Sequence, residues 1–348
     1  MHLKEKINPL YHSFLKSLVE LEIPDEQIAT CKSCPICGSE LSPYLNLKCC
    51  DYYPYLPNYL VGAILSAKSD SLTTGRVRLK EEMDKRIGVT PYGIFPSITY
   101  MKRAKEVESF DFWQRPREML EAQICPYYME GFCTIWDFRE SMCITHFCSS
   151  VGGDKGVLFW LKLRELLLMI EITLSQYALL KLGWPVSKIM TKTLTSRDFN
   201  LEDGNGKLNE QNYKDLWGEW VNNKEELYIR CTEIIKNLDE PEFKKLTGVK
   251  GEILGAAVRE TREEFINNAI PDRMILRPDV KTESIGEGKV RLSIGSSSVE
   301  VPAVILPLIN GFKGKHSTVE IFHKGFKVLY NMGTVVDELR KKGILVKA

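Results

Sequence analysis

The sequence predicts a mainly α chain of α+β type, and three observations carry that expectation. Nine of the ten cysteines fall before residue 150, at spacings that follow no helical or strand period, which marks an irregular cysteine-rich metal domain over residues 1–152. Apolar residues then recur three and four apart through the stretches 157–184, 216–238 and 251–268, the pattern of a helical middle domain over 153–275. Finally, Val290, Leu292 and Ile294 alternate, Ser296-Ser297-Ser298 turns the chain, and Val299 and Val301 alternate back. Residues 285–348 therefore read as a small hairpin with helices, of winged-helix-like or peptide-clasp type.

Within the first part, Lys4 to Leu21 carries Ile7, Leu10, Tyr11, Phe14, Leu15, Leu18 and Val19 at helical spacing, and Ile23-Pro24-Asp25 ends the segment. Cysteines follow in two groups. Cys31, Cys34, Cys37, Cys49 and Cys50 form C-x2-C-x2-C-x11-C-C, and Cys125, Cys133, Cys143 and Cys148 form C-x7-C-x9-C-x4-C. Cys34-Pro35-Ile36-Cys37-Gly38 has the form of a zinc knuckle, in which a tight turn puts two sulfurs on one side and a small glycine lets backbone amides approach them. The vicinal pair Cys49-Cys50 departs from a zinc ribbon, because neighbouring side chains diverge. It suits two metals or two edges of one cluster.

About 74 residues separate the two groups, and closing that loop costs on the order of 4 kcal/mol. A structural thiolate-metal site supplies roughly 10–16 kcal/mol, against about 2–4 kcal/mol for one disulfide. All nine cysteines are thus read as candidate ligands of one metal centre. Four thiolates on zinc or on an iron-sulfur cube leave about two negative charges to answer, and Arg139, four residues before Cys143, is the candidate cation. His146 is a candidate replacement ligand or a packing histidine beside Phe147.

The order of C-x-x-C, Cys-Cys, Cys-Pro, Gly-x-Cys-x-Ile, Arg-x-x-x-Cys and a closing aromatic-Cys resembles the YkgJ-like cysteine-cluster family, a zinc- or iron-chelating domain. The cysteine region of flagellin lysine-N-methylases is similar. Arg139 matches the family pattern, whereas Glu140 stands where proline is usual and Ile144 where a second arginine is common. The resemblance covers residues 31 to 150. It implies a 4Fe-4S cluster or zinc, and an enzyme that modifies a protein or peptide substrate.

Other features bound the function. A net charge of +1 gives no global reason to expect nucleic acid or an anionic surface, and the basic C-terminal residues Lys313, Lys315, Lys324, Lys327, Arg340, Lys341 and Lys342 read as a solvated face. The N-terminus has no secretory pattern, so the expected compartment is the reducing cytoplasm, where dense cysteines bind metal more often than they pair. Lys162, Arg164, Glu165 and Glu171 interrupt the apolar stretch 157–184 and argue against a membrane span. Cys231 lies on an apolar helical stripe and reads as core.

Around Gly206 a calcium loop fails, because Leu201 and Asn212 stand where carboxylates are required. No phosphate loop, Ser-His-Asp set or methyl-donor motif is present among the 348 residues. Three readings stay open: a cluster-binding enzyme, a zinc-stabilised interaction module without catalysis, and a thiol redox protein.

Overall fold

The computed structural model describes residues 1–27, 50–111, 114–147, 150–189, 195–203, 206–314, 316–325 and 332–348. Cys31, Cys34, Cys37, Cys49 and Cys148 lie outside the described residues. Helices dominate, with strands confined to small sheets, so the fold is mainly α. The chain divides into two compact units.

The first unit comprises Met1–Glu22, Cys49–His146 and Leu161–Val258. Its amino-terminal segment differs from the expected single helix. Turns at Leu3–Glu5 and Pro9–Tyr11 precede a one-turn helix α1 (Lys16–Val19). Pro9 has no N–H to continue a helix, and Asn8 caps the new turn by accepting from the Leu10 N–H (3.0 Å). The apolar side chains still turn inward, because Ile7, Tyr11, Phe14, Leu15, Leu18 and Val19 are all buried.

Strand β1 (Leu56–Pro57) leads into helix α2 (Asn58–Ser66), which is buried from Asn58 to Ile64. Helix α3 (Thr73–Lys85) occupies the charged run after Ser69, where burial of Leu79 and Met83 outweighs a polar composition. Strands β2 (Val89–Thr90) and β3 (Gly93–Ile94) complete an antiparallel sheet of order β1-β3-β2. Helices α4 (Ile98–Glu108) and α5 (Arg117–Glu121), hairpin β4 (Tyr128–Met129) and β5 (Phe132–Cys133), and helix α6 (Ser141–Thr145) follow.

The long helix α7 (Gly153–Lys181) is assigned to the first unit from Leu161 onward. Gly218, at φ 55° and ψ −129°, divides the expected helix over 216–238 into α8 (Glu210–Trp217) and α9 (Lys224–Lys236). Helix α10 (Glu240–Asn268) bends at Gly248, where φ is 51°, and belongs to this unit as far as Val258.

Around α2, backbone carbonyls of the small sheet and its loop accept hydrogen bonds from side chains of several helices. Tyr228 donates to Thr90 O (2.7 Å), Trp217 to Val89 O (3.2 Å) and Ser175 to Tyr92 O (2.9 Å). Asn58 donates to both Pro91 O and Ser175 O. Cys231 is fully buried on α9, as its stripe implied.

The second unit comprises Ile23–Lys48, Phe147–Trp160 and Arg259–Ala348. Strand β6 (Met274–Leu276) pairs with the final strand, and β7 (Lys281–Gly286), β8 (Lys289–Ile294) and β9 (Ser297–Pro302) form an antiparallel meander. The β8–β9 hairpin matches the alternation in the sequence, with Val290 opposite Val301 and Leu292 opposite Val299. The charged, glycine-bearing residues before that hairpin supply β7, whose side chains are nearly all exposed. A strand paired only along its backbone edge leaves no apolar signature.

Helices α11 (Leu306–Gly311), α12 (Thr318–Gly325) and α13 (Met332–Lys341) then lead to strand β10 (Leu345–Lys347). A capping box closes the start of α12, with reciprocal bonds between Ser317 and Glu320 (2.8 and 3.2 Å). Elsewhere in this unit, the buried Glu26 carboxylate accepts from Ser150 Oγ (2.5 Å), Val151 N (2.8 Å) and Trp160 Nε1 (2.7 Å). Three donors in place of water make that carboxylate tolerable in the interior. Among the described residues, no helix is long and apolar enough to cross a membrane.

A close approach between α2 and α9 tests the packing. A Cβ on Gly62 of α2 would fall 1.9 Å from Tyr228 O and 2.3 Å from Thr232 Oγ1 of α9. Gly62→Ala should therefore lower stability by about 2–3 kcal/mol in chemical denaturation, since the α2–α9 contact must open to admit the methyl group.

Candidate functional site

Four of the nine candidate cysteines, Cys50, Cys125, Cys133 and Cys143, are described, and all four lie in the first unit at intermediate exposure. The backbone brings the first two together. Cys125 N–H donates to Cys50 O (2.7 Å), so the segment after the first cysteine group runs beside the start of the second. Tyr100 of α4 reinforces that pairing. Its hydroxyl lies 2.5 Å from Asp51 O and 2.9 Å from Gln123 O, carbonyls next to Cys50 and two residues before Cys125.

Local turns bring in the third and fourth. Glu130 (φ 48°) and Gly131 (φ 89°) both take left-handed conformations, as a two-residue hairpin loop of primed type requires. The hairpin sets Cys133 opposite Tyr128, folding it back toward Cys125. Thr134 closes the loop by donating from N (2.9 Å) and Oγ1 (2.8 Å) to Tyr127 O. Cys143 sits in the short helix α6.

Electrostatics register the convergence. Burial pushes the Cys125 thiol well above its usual range; N–H groups of Tyr127 and Tyr128 act in the opposite sense, while Cys133 and Cys50 raise it further. Cys143 is pushed up by burial, by Glu140, and by Cys125 and Cys133. The direction of both shifts is opposite to the lowered thiol pKa that thiol redox chemistry uses.

Among the described residues, no group of three or more His, Cys, Asp or Glu side chains stands at the spacing that holds one metal ion. The four thiols are neighbours within electrostatic reach, without the spacing of ligands around an ion. The donor set itself suits zinc or an iron-sulfur cluster: soft sulfurs, partial exclusion of water, and backbone N–H groups directed at the Cys125 sulfur.

Arg139 is placed beside Cys143 through its backbone. Its guanidinium donates to Trp136 O (3.0 Å) and Cys143 O (3.3 Å), and stacks 3.5 Å from the Trp136 ring centroid. The ring of His146 is at the surface. Its pKa is lowered by the surrounding protein and by Arg164, with Asp51 acting in the opposite sense.

Sequence reasoning missed two carboxylates beneath α6. Glu140, in the position where a family resemblance suggests proline, caps this helix by accepting from Met142 N (2.6 Å) and Cys143 N (2.9 Å). Glu171 of α7 accepts from Ser141 N (2.6 Å) and Ser141 Oγ (2.7 Å). The first three N–H groups of the Cys143 helix thus all end on buried acids, in place of the water that normally serves a helix start. An acidic residue at a helix entry was the available signal for Glu140. The approach of Glu171, 30 residues away, had none.

Comparisons with protein-family models, with curated proteins and with solved structures return no match. The cysteine-cluster resemblance therefore rests on the residue pattern alone.

The two acids set a pH dependence. Burial raises the pKa of Glu171 well above its usual value of 4.5, and Glu140 raises it further. Folding then binds protons, so the stabilising contribution is complete below about pH 4.5 and is lost as pH rises through the folded-state pKa. Glu171→Gln keeps the shape without the charge. It should match the parent protein in acid and exceed it at alkaline pH when unfolding is followed across pH, whereas Glu171→Ala should cost about 1–3 kcal/mol by orphaning Ser141.

Proposed function

We propose that this chain is a metal-binding cysteine-cluster protein that holds an iron-sulfur cluster or zinc through thiolates. The observation that carries the reading is the gathering of Cys50, Cys125, Cys133 and Cys143 from separate local structures into one electrostatic neighbourhood. Cys31, Cys34, Cys37, Cys49 and Cys148 complete the proposed ligand supply on the sequence pattern. Through the family resemblance alone, the proposal extends to an enzyme acting on a protein or peptide.

When bound, the metal would supply cationic charge that replaces the thiol protons. The chain's own residues prepare for that exchange. Backbone N–H groups of Tyr127 and Tyr128 answer charge on the Cys125 sulfur, and Arg139 fixes the Cys143 carbonyl while placing a cation on the same loop. Glu140 holds α6 through backbone bonds, so Cys143 stays anchored whichever protonation state its sulfur adopts.

Purification without oxygen, followed by metal and sulfide analysis and a visible spectrum, tests the reading. Brown protein with iron and sulfide identifies a cluster, colourless protein with stoichiometric zinc identifies a zinc site, and protein with neither overturns the proposal. Cys125→Ser and Cys143→Ser should each lower metal content by about tenfold at limiting metal. Because both thiols are raised in pKa, protons compete with metal, and affinity in a chelator competition should rise steadily with pH.

A further inference from the structure

A cavity of about 460 Å³ lies within the second unit, and all of its lining residues belong to that unit. Sites for small molecules occupy roughly 300–1,000 Å³. Backbone bonds tie the walls together: Ile270 N–H donates to Val151 O (2.7 Å), Thr318 N–H to Asp272 O (2.9 Å) and Ala348 N–H to Arg273 O (3.2 Å). Val151 and Ile270 are buried and make part of the lining apolar.

Four charged side chains also line the cavity, Asp25 and Asp272 of one sign, Arg273 and Lys347 of the other. Asp25 accepts from Gln27 Nε2 (3.2 Å). Among the described residues, none of the four is in an ion pair, and the charged ends of Asp272, Arg273 and Lys347 have no hydrogen-bond partner.

A second observation comes from below the surface. Thr318 of the cavity wall is 2% exposed, and its hydroxyl finds no hydrogen-bond partner. Native interiors hold few such atoms. The polar groups next to Thr318 along the chain are already committed, because Ser317 and Glu320 bond each other.

Charge decides what fits. A simple anion would face Asp25 and Asp272, a simple cation would face Arg273 and Lys347, and an uncharged molecule would strip water from all four without return. A zwitterion answers both signs at once. We propose that this cavity binds a small zwitterion, a free amino acid or a short peptide. Its ammonium lies against Asp272, its carboxylate against Arg273, whose planar fork suits a carboxylate, and the Thr318 hydroxyl donates to the same ligand. The site goes beyond the metal-binding reading and does not depend on it.

Calorimetric titration of the full chain with leucine and with alanyl-leucyl-alanine, each up to about 10 mM, tests the assignment. Binding of leucine alone identifies an amino-acid site, and binding of the tripeptide identifies a peptide site. For the probe that binds, acetylating the amine should weaken binding at least about tenfold in the parent but less than about two-fold in Asp272→Asn. Converting the carboxylate to an amide should show the same contrast between the parent and Arg273→Gln. Thr318→Val should bind about fivefold more weakly, with the free protein no less stable in chemical denaturation. The proposal is overturned if the parent binds neither probe, if a blocked probe binds as well as the free one, or if blocking costs the variants as much as the parent. Undiminished binding by Thr318→Val overturns it as well.

Discussion

A polar group shut away from water must find its partner inside the protein, and that constraint organises the first unit. Tyr228, Trp217, Ser175 and Asn58 reach in to backbone carbonyls of its small sheet and the loop beside it. Those side chains come from α9, α8, α7 and α2, so satisfying a few carbonyls positions four helices at once. Gly62 lets α2 and α9 approach closely enough for Thr232 to bond Tyr59 O (2.7 Å). Apolar burial provides the driving force, while these bonds choose among the packings that apolar burial alone would allow.

The cysteine neighbourhood is built on the same rule carried to its expensive limit. Two buried carboxylates hold the start of α6, and among the described residues neither is paired with a cation. Raised pKa values are the consequence, since a proton is the available means of lowering the charge. The thiols above them answer in the same way. On the reading proposed above, a metal ion would take over in this water-poor region the neutralisation that protons otherwise supply to groups of raised pKa. Thiolates suit zinc and iron alike, so metal analysis is what separates the two forms of that proposal.

Much of the fold was legible from periodicity. The β8–β9 hairpin and the buried position of Cys231 follow from spacing, because a side chain's face is set by its place in a regular repeat. Legibility failed where a backbone requirement outweighed the pattern. Pro9 breaks a helix whose apolar spacing is nonetheless obeyed, and Gly218 divides another with a conformation that a stripe of large residues does not reveal. Strand β7 was illegible because its pairing uses backbone groups while its side chains face solvent.

For the candidate site, the sequence by itself determined the residue types: which positions carry thiols, how they are grouped, and that Arg139 lies four residues before Cys143. Those are properties of residue type and of short spacing. Only the tertiary structure decided that Cys125 pairs with the Cys50 segment, that Tyr100 spans both, and that Glu171 closes on Ser141 from a distant helix. The physical reason is that a hydrogen bond across dozens of residues depends on where the chain returns. That return is fixed by the packing of the whole unit and leaves no mark in the spacing of neighbouring residues.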